Sequence, residues 1–169
     1  MPPPLLIDPK TIDTSKVIAD QEEVRRIIPH RGHMLHLNAV VSIDDAQKII
    51  IGYKDVQADE FWVAGHFPNF PIFPGVLQCE AAAQLLCYYS TVMKVMTHSL
   101  MGLGGIEDCR FRGSVRPGDR LVVVAKGKKV DRRRTVFAAQ GFVGENLVFE
   151  CDVIGVPIPG REQMQAAQT

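Results

Sequence analysis

Pro74-Gly75-Val76-Leu77-Gln78-Cys79-Glu80-Ala81-Ala82-Ala83-Gln84-Leu85-Leu86 opens the stretch that decides the fold, a run that continues to Met96. Apolar and small residues dominate it on every side, so a helix over about 76–96 belongs inside a core. Such a helix is on the order of 30 Å long. Gln78, Glu80, Gln84 and Lys94 interrupt it, and a membrane span rarely carries that many polar groups. The expectation is a helix buried in a soluble globular protein.

Upstream lie a loop over 57–75 and two strand-like runs at about 35–43 and 47–56, separated by the turn-prone Asp44-Asp45. Before them, Asp20-Gln21-Glu22-Glu23 starts a short helix, with Asp20 as cap, Glu23 in the capping-box position and Pro29 as the stop. Downstream, Gly102, Gly104 and Gly105 break the chain. Strand-like runs follow at about 105–113, 119–130, 134–143 and 147–156, linked by turns at Pro117-Gly118-Asp119, Asp131-Arg132 and Gly144-Glu145-Asn146. One long helix with roughly six hairpin-joined strands is an α+β pattern, an antiparallel sheet wrapped around a central helix. Its edge strands invite cover by dimerisation. Residues 1–20 read as an extended N-terminal arm, 21–158 as the domain and 159–169 as a flexible polar tail.

At 169 residues the chain suits one domain, and its 46% hydrophobic content supports a real core. Nineteen basic against nineteen acidic residues leave no net charge to draw nucleic acid or an anionic membrane. Cys79, Cys87, Cys109 and Cys151 fall in no metal-ligand spacing and read as small apolar residues of a reducing, cytoplasmic compartment. Met1 to Leu6 lacks the basic and apolar regions of a secretory signal, and no membrane insertion is expected.

The chemistry gathers where the loop meets the helix. Pro68, Pro71 and Pro74 exclude helix over 66–74 and hold the backbone near extended or polyproline geometry, so His66 stands on stiff chain. Gly75 begins the helix, and its missing Cβ lets a ligand approach the backbone. The first amides of the helix are unpaired and suit an oxygen gaining negative charge. Glu80, one turn further in, must find partners or shift its pKa upward, and Gln84 at i+4 can hold it. Together these parts suit a β-elimination beside a carbonyl, with His66 as base, Gly75 N–H as oxyanion donor and Glu80 as acid. Taken alone, a loop histidine is more often a hydrogen-bonded structural or surface group than a catalytic one.

Gly65-His66-Phe67-Pro68, then Pro71 to Leu77, then Glu80-Ala81-Ala82-Ala83-Gln84 resemble the signature of FabZ-type β-hydroxyacyl–acyl carrier protein dehydratases. Ile28-Pro29-His30-Arg31 resembles that family's N-terminal motif. Gly105 to Arg112 and Val115-Arg116-Pro117-Gly118-Asp119 resemble its later strand-and-turn motif. The resemblance covers about residues 21–156. It implies a hot-dog fold, a homodimer or a trimer of dimers, and active sites that take the histidine from one subunit and the acid from the other. It implies 3-hydroxyacyl thioesters on acyl carrier protein as substrates, dehydrated to trans-2-enoyl thioesters, with no metal and no cofactor. Glu at position 80, where the isomerising FabA-type relatives carry Asp, points to simple dehydration. Gly75, Gln84, Phe67, Pro74 and Val76 become the substrate-binding candidates beside the catalytic pair His66 and Glu80.

Asn38 and Ala39 stand where that family commonly carries an acidic and a basic residue, and Leu100-Met101-Gly102-Leu103-Gly104 lacks the tyrosine that often gates the family's substrate tunnel. The changes at Asn38 and Ala39 keep a non-catalytic acyl-binding paralogue in view, beside a hot-dog thioesterase, and the missing tyrosine leaves acyl-chain selectivity open. His30, His33 and His36 recur every third residue, but Pro29 and Gly32 break any helix that would align them, so structural or surface roles are favoured over metal binding. His98 near the helix end suits the dipole. Lys126, Lys128, Lys129, Arg132, Arg133 and Arg134 surround a hairpin turn, either as a solvated turn or as a docking patch for an acidic carrier protein. Arg110 and Arg112 read as structural. Trp62, Phe67, Phe70 and Phe73 suit an acyl tunnel or the core, and Tyr88 and Tyr89 suit the core and an interface.

Overall fold

The computed structural model describes residues 3–96 and 100–159. Six antiparallel strands, in the order β1-β2-β4-β5-β6-β3, curl around one long helix. They are β1 (Ala39–Asp44), β2 (Ile49–Asp55), β3 (Leu100–Phe111), β4 (Arg120–Val130), β5 (Thr135–Val143) and β6 (Asn146–Ile158). The helix α2 spans Gly75–Val92, and every residue from Gln78 to Ser90 except Glu80 is buried. Leu85, Leu86 and Tyr89 share a core with Ile50, Leu121, Phe137 and Phe149 of the sheet. This is the hot-dog arrangement expected from the apolar helix.

The sheet is apolar on both faces. In β4 Leu121, Val123 and Ala125 face α2, whereas Val122 and Val124 face outward with Ile49, Ile51, Tyr53 and Phe142. Leu6, Ile7 and Ile12 of the N-terminal arm cover that outer face. Continuous apolar runs such as Leu121–Ala125 are what a doubly covered strand requires. The arm is pinned by the buried Gln140, whose side chain accepts from Leu6 N–H at 2.8 Å and donates to the Pro4 carbonyl at 3.1 Å. Ala19 then bridges to Val40 and covers the β1 edge.

Helix α1 (Gln21–Ile27) is capped by Asp20, whose carboxylate accepts from Glu23 N–H at 2.9 Å. The Glu23 carboxylate pairs with Arg26 rather than completing a capping box. Three boundaries differ from the sequence reading. First, α2 stops at Val92, not 96, because Lys94 turns left-handed (φ 54°) and Val95 N–H reaches back to the Ser90 carbonyl at 2.9 Å. That closure satisfies a terminal carbonyl without a glycine. Second, Gly102, Gly104 and Gly105 do not break the chain but lie inside β3. A Cβ on Gly102 or Gly104 would sit 2.8 Å from Ile158 or 2.7 Å from Val156 of the paired strand, so bare backbone lets those side chains lie over it. Third, β1 starts at Ala39 instead of 35, since the backbone before it bonds to a side chain of α2, as described below. His98 and the segment 160–169 fall outside the described residues.

Candidate active site

His66 sits on a narrow hairpin. His66 and Ile72 face each other, with Ile72 N–H donating to the His66 carbonyl at 2.8 Å, and Phe67 and Phe70 exchange backbone bonds inside them. Asn69 takes a left-handed φ of 61° at the tip. The prolines therefore stiffen a reversed turn, not the extended segment expected from their spacing. The His66 Nδ1 lies 2.7 Å from the Ile72 carbonyl, which can only accept. That bond places the ring proton on Nδ1 and leaves the Nε2 lone pair as the basic position. The Phe67 ring stacks on the imidazole at 4.2 Å between centroids.

Glu80 lies half-buried on α2 and has found partners. Gln84 Nε2 donates to its Oε1 at 2.8 Å, and His30 Nε2 lies 3.3 Å from the same oxygen. Burial is the largest single influence and pushes the carboxyl pKa up. Hydrogen bonds from His30 and Gln84 and the charges of His30 and His36 together outweigh it and hold the group below the usual glutamate value. Gln84 is fully buried with all its hydrogen-bonding capacity engaged. Its oxygen accepts from His36 N–H (2.9 Å) and Leu37 N–H (3.1 Å), and its nitrogen also donates to the Met34 carbonyl (2.6 Å). One amide side chain thus holds the acid and ties the incoming 34–37 segment to the helix.

Gly75 and Val76 begin α2 with amides that have no acceptor among the described residues, and Pro74 offers no side-chain cap. Those N–H groups carry the positive end of the helix. The reason for glycine at 75 differs from expectation. A Cβ there would lie 2.6 Å from Cζ of the Phe111 ring in β3, so the space is taken by a side chain of the chain itself. Within one chain, His66 and Glu80 make no ion pair or hydrogen bond with each other among the described residues. Val76 is 74% exposed and Phe67 52%, so the face between loop and helix is open.

The aromatic set divides. Trp62 and Phe73 are core residues 5.4 Å apart, whereas Phe70 is exposed beneath the Arg116 guanidinium at 4.3 Å. Tyr89 is fully buried and donates to Asp45 at 2.8 Å. The three closely spaced histidines go separate ways. His30 meets Glu80, His36 is buried beside Phe73, and His33 tilts against Phe61 at the surface. Sequence reasoning had set His30 aside, and its signal was the motif Ile28 to Arg31. Asn38 has a structural task, with its side chain accepting from Asp55 N–H at 2.9 Å.

Sequence reading also missed Lys54. It is 5% exposed in an apolar strand and pairs with Glu60 at 2.9 Å. Glu60 further accepts from Gln57 N–H (2.9 Å) and from the Trp62 indole (3.0 Å). The Trp62 carbonyl in turn accepts from His66 N–H at 2.9 Å. An unbroken series of bonds therefore runs from the sheet to the candidate base.

The fold defines a hot-dog protein, with a carboxylate on its central helix and a histidine on the loop that leads into it. The chain belongs to the FabA-like domain family, which it matches over residues 28–152. It is 35% identical to the 3-hydroxyacyl-acyl-carrier-protein dehydratase FabZ of Alkalilimnicola ehrlichii over 83% of this chain and 92% of that one. It is likewise 35% identical to the enzyme of that name from Pelotomaculum thermopropionicum, over 80% and 96% of the two chains. Among solved structures, the dehydratase heterocomplex ApeI:P from Xenorhabdus doucetiae shares the fold, with TM-score 0.69 at 18% identity, over 86% of this chain and 97% of that one.

Proposed function

We propose that this protein removes water from 3-hydroxyacyl thioesters carried on acyl carrier protein, giving trans-2-enoyl thioesters in fatty acid or related lipid synthesis. The observation that carries the reading is the His66 Nδ1–Ile72 bond, which leaves a basic Nε2 on fixed backbone in a member of the FabA-like family. His66 Nε2 takes the proton from the carbon next to the thioester carbonyl. The Gly75 N–H, with Pro74 and Val76 beside it, receives the negative charge that develops on the carbonyl oxygen. Glu80, the acid of this reading, delivers a proton to the departing β-hydroxyl, and water leaves as the double bond forms. Gln84 keeps the carboxyl aimed, and Phe67 flanks the acyl chain. Two proton transfers accompany the cleavage of the C–O bond, and the reading calls on no metal or organic cofactor.

The site is read as shared between two copies, His66 from one and Glu80 from the other. β3 is an outer strand of twelve residues with Leu103, Ile106 and Phe111 exposed, and a long apolar edge of this kind seeks a partner strand. A second β3 is the natural occupant, giving a homodimer that a trimer of dimers can extend. The exposed Arg132 and Arg133 by the β4–β5 turn suit an acidic carrier protein, beside Lys129, which pairs with Asp131. No described helix is long and apolar enough to cross a membrane, and the cytoplasm is the proposed location.

One assay tests the reading. A 3-hydroxyacyl thioester on acyl carrier protein is followed at once for conjugated enoyl absorbance and for free thiol. Enoyl product without thiol is expected. Thiol without enoyl product makes the protein a thioesterase, and binding without either signal makes it a non-catalytic acyl binder.

A further inference from the structure

Three of the four cysteines converge behind the acid. Cys79 precedes Glu80 on α2 and is 2% exposed, and its sulfur lies 3.7 Å from that of Cys109 on β3. Cys151 on β6 lies near enough to act on the titration of the same sulfur. The β3–β6 register shifts between Glu107 and Arg110, so Asp108 and Cys109 stand in a bulge opposite Cys151, with Asp108 left-handed at φ 49°. A bulge frees local backbone from the ladder. Hydrogen bonding from Cys151 is the main cause that draws the Cys79 thiol down to about 7, and burial pushes Cys109 up to about 11. Two sulfurs 3.7 Å apart, one drawn toward the thiolate and its neighbour held as a thiol, are the pairing that oxidation chemistry uses.

We propose that Cys79 and Cys109 form a peroxide-oxidisable dithiol, and that closing it to a disulfide slows the chemistry built on the first turns of α2. The Cys79 thiolate attacks a peroxide oxygen, the O–O bond breaks, and hydroxide leaves and is protonated to water. The Cys109 sulfur then displaces that oxygen from Cys79, forming the S–S bond and releasing a second water. Two thiols lose two electrons and one peroxide gains them. Bonded sulfurs sit about 2.0 Å apart, so α2 and the bulge must draw together from the present 3.7 Å. Shifts of about 1 Å at a catalytic group can cost on the order of a hundredfold in rate. The consequence for turnover rests on the dehydratase reading, and the dithiol itself does not.

In the test, reduced full-length protein is treated with hydrogen peroxide at neutral pH and digested without reduction. Its peptides are mapped by mass spectrometry while dehydration is measured on the same samples. A Cys79–Cys109 link is expected, with a loss of turnover of roughly tenfold to a hundredfold that dithiothreitol restores. Cys109→Ser should keep basal turnover and resist peroxide, and Cys109→Ala serves if the serine disturbs folding. A link from Cys79 to Cys151 or to another molecule overturns the proposal, as does a Cys79–Cys109 link that leaves turnover unchanged. Reduced protein with no dehydratase activity sinks the functional reading, and the peptide map then still decides the dithiol.

Discussion

Lys54 Nζ and Glu60 Oε1 meet 2.9 Å apart with side chains only 6% and 14% exposed, so an ion pair inside the protein tethers to β2 the loop that leads to His66. Removing one partner strands the other charge out of water, at a typical cost of about 3–5 kcal/mol. Lys54→Met should lower stability by about that much in urea unfolding. Adding Glu60→Gln should recover part of it, and a strictly additive double variant would show that the two charges do not interact.

His66→Ala and Glu80→Gln should each cut kcat by ~10²–10⁴-fold. Circular dichroism and the oligomer size should stay unchanged, because neither side chain is a core packing group. If the sites are shared, mixing the two inactive variants and allowing subunits to exchange should restore part of the activity. Failure of the mixture to recover, with exchange confirmed by mass spectrometry, places both residues in one chain's site.

His30→Gln tests how Glu80 is held. Burial raises the Glu80 pKa, and the His30 hydrogen bond is the foremost opposing influence. Without the imidazole the carboxyl pKa should rise, and the limb of the kcat/KM profile that belongs to Glu80 should move to higher pH. An unmoved limb would detach His30 from the acid. Gln84→Leu should do more harm to the fold. It leaves the His36 and Leu37 amides without an acceptor, each buried unpaired group costing about 1–3 kcal/mol.

Burial is the main cause that depresses the His36 pKa below 6.5, with the Lys54 charge adding to it. A group depressed in the folded state binds its proton more readily when unfolded. Its contribution to stability is therefore complete above the unfolded value, about 6.5, and is lost as pH falls through the folded one. Melting temperature should decline on acidification from about pH 6.5, and His36→Leu should flatten that decline. An equal decline in the variant would mean that other groups carry it.

The fold was legible because burial wrote itself into composition. A helix apolar all round has nowhere to sit except inside a sheet, and the hairpin turns at Asp131-Arg132 and Gly144-Glu145-Asn146 fix how β4, β5 and β6 return. The glycines at 102, 104 and 105 misled, since whether a glycine breaks a strand or clears room for its neighbour depends on what lies across the ladder. Lys54 was missed and His30 set aside for a related reason. A single charged residue in a strand, or a histidine after a proline, reads as surface until its partner from a distant segment is known.

By itself the sequence determined the hydrophobic pattern, and with it the buried α2, the antiparallel strands and the local Glu80–Gln84 pairing, all set by neighbours a few residues apart. Tertiary structure alone decided which nitrogen of His66 is basic, that His30 meets Glu80, why position 75 must be glycine, and which cysteines meet. Those are relations between segments tens of residues apart. Their distances depend on how the helix, loop and sheet pack, and packing is a property of the whole folded chain.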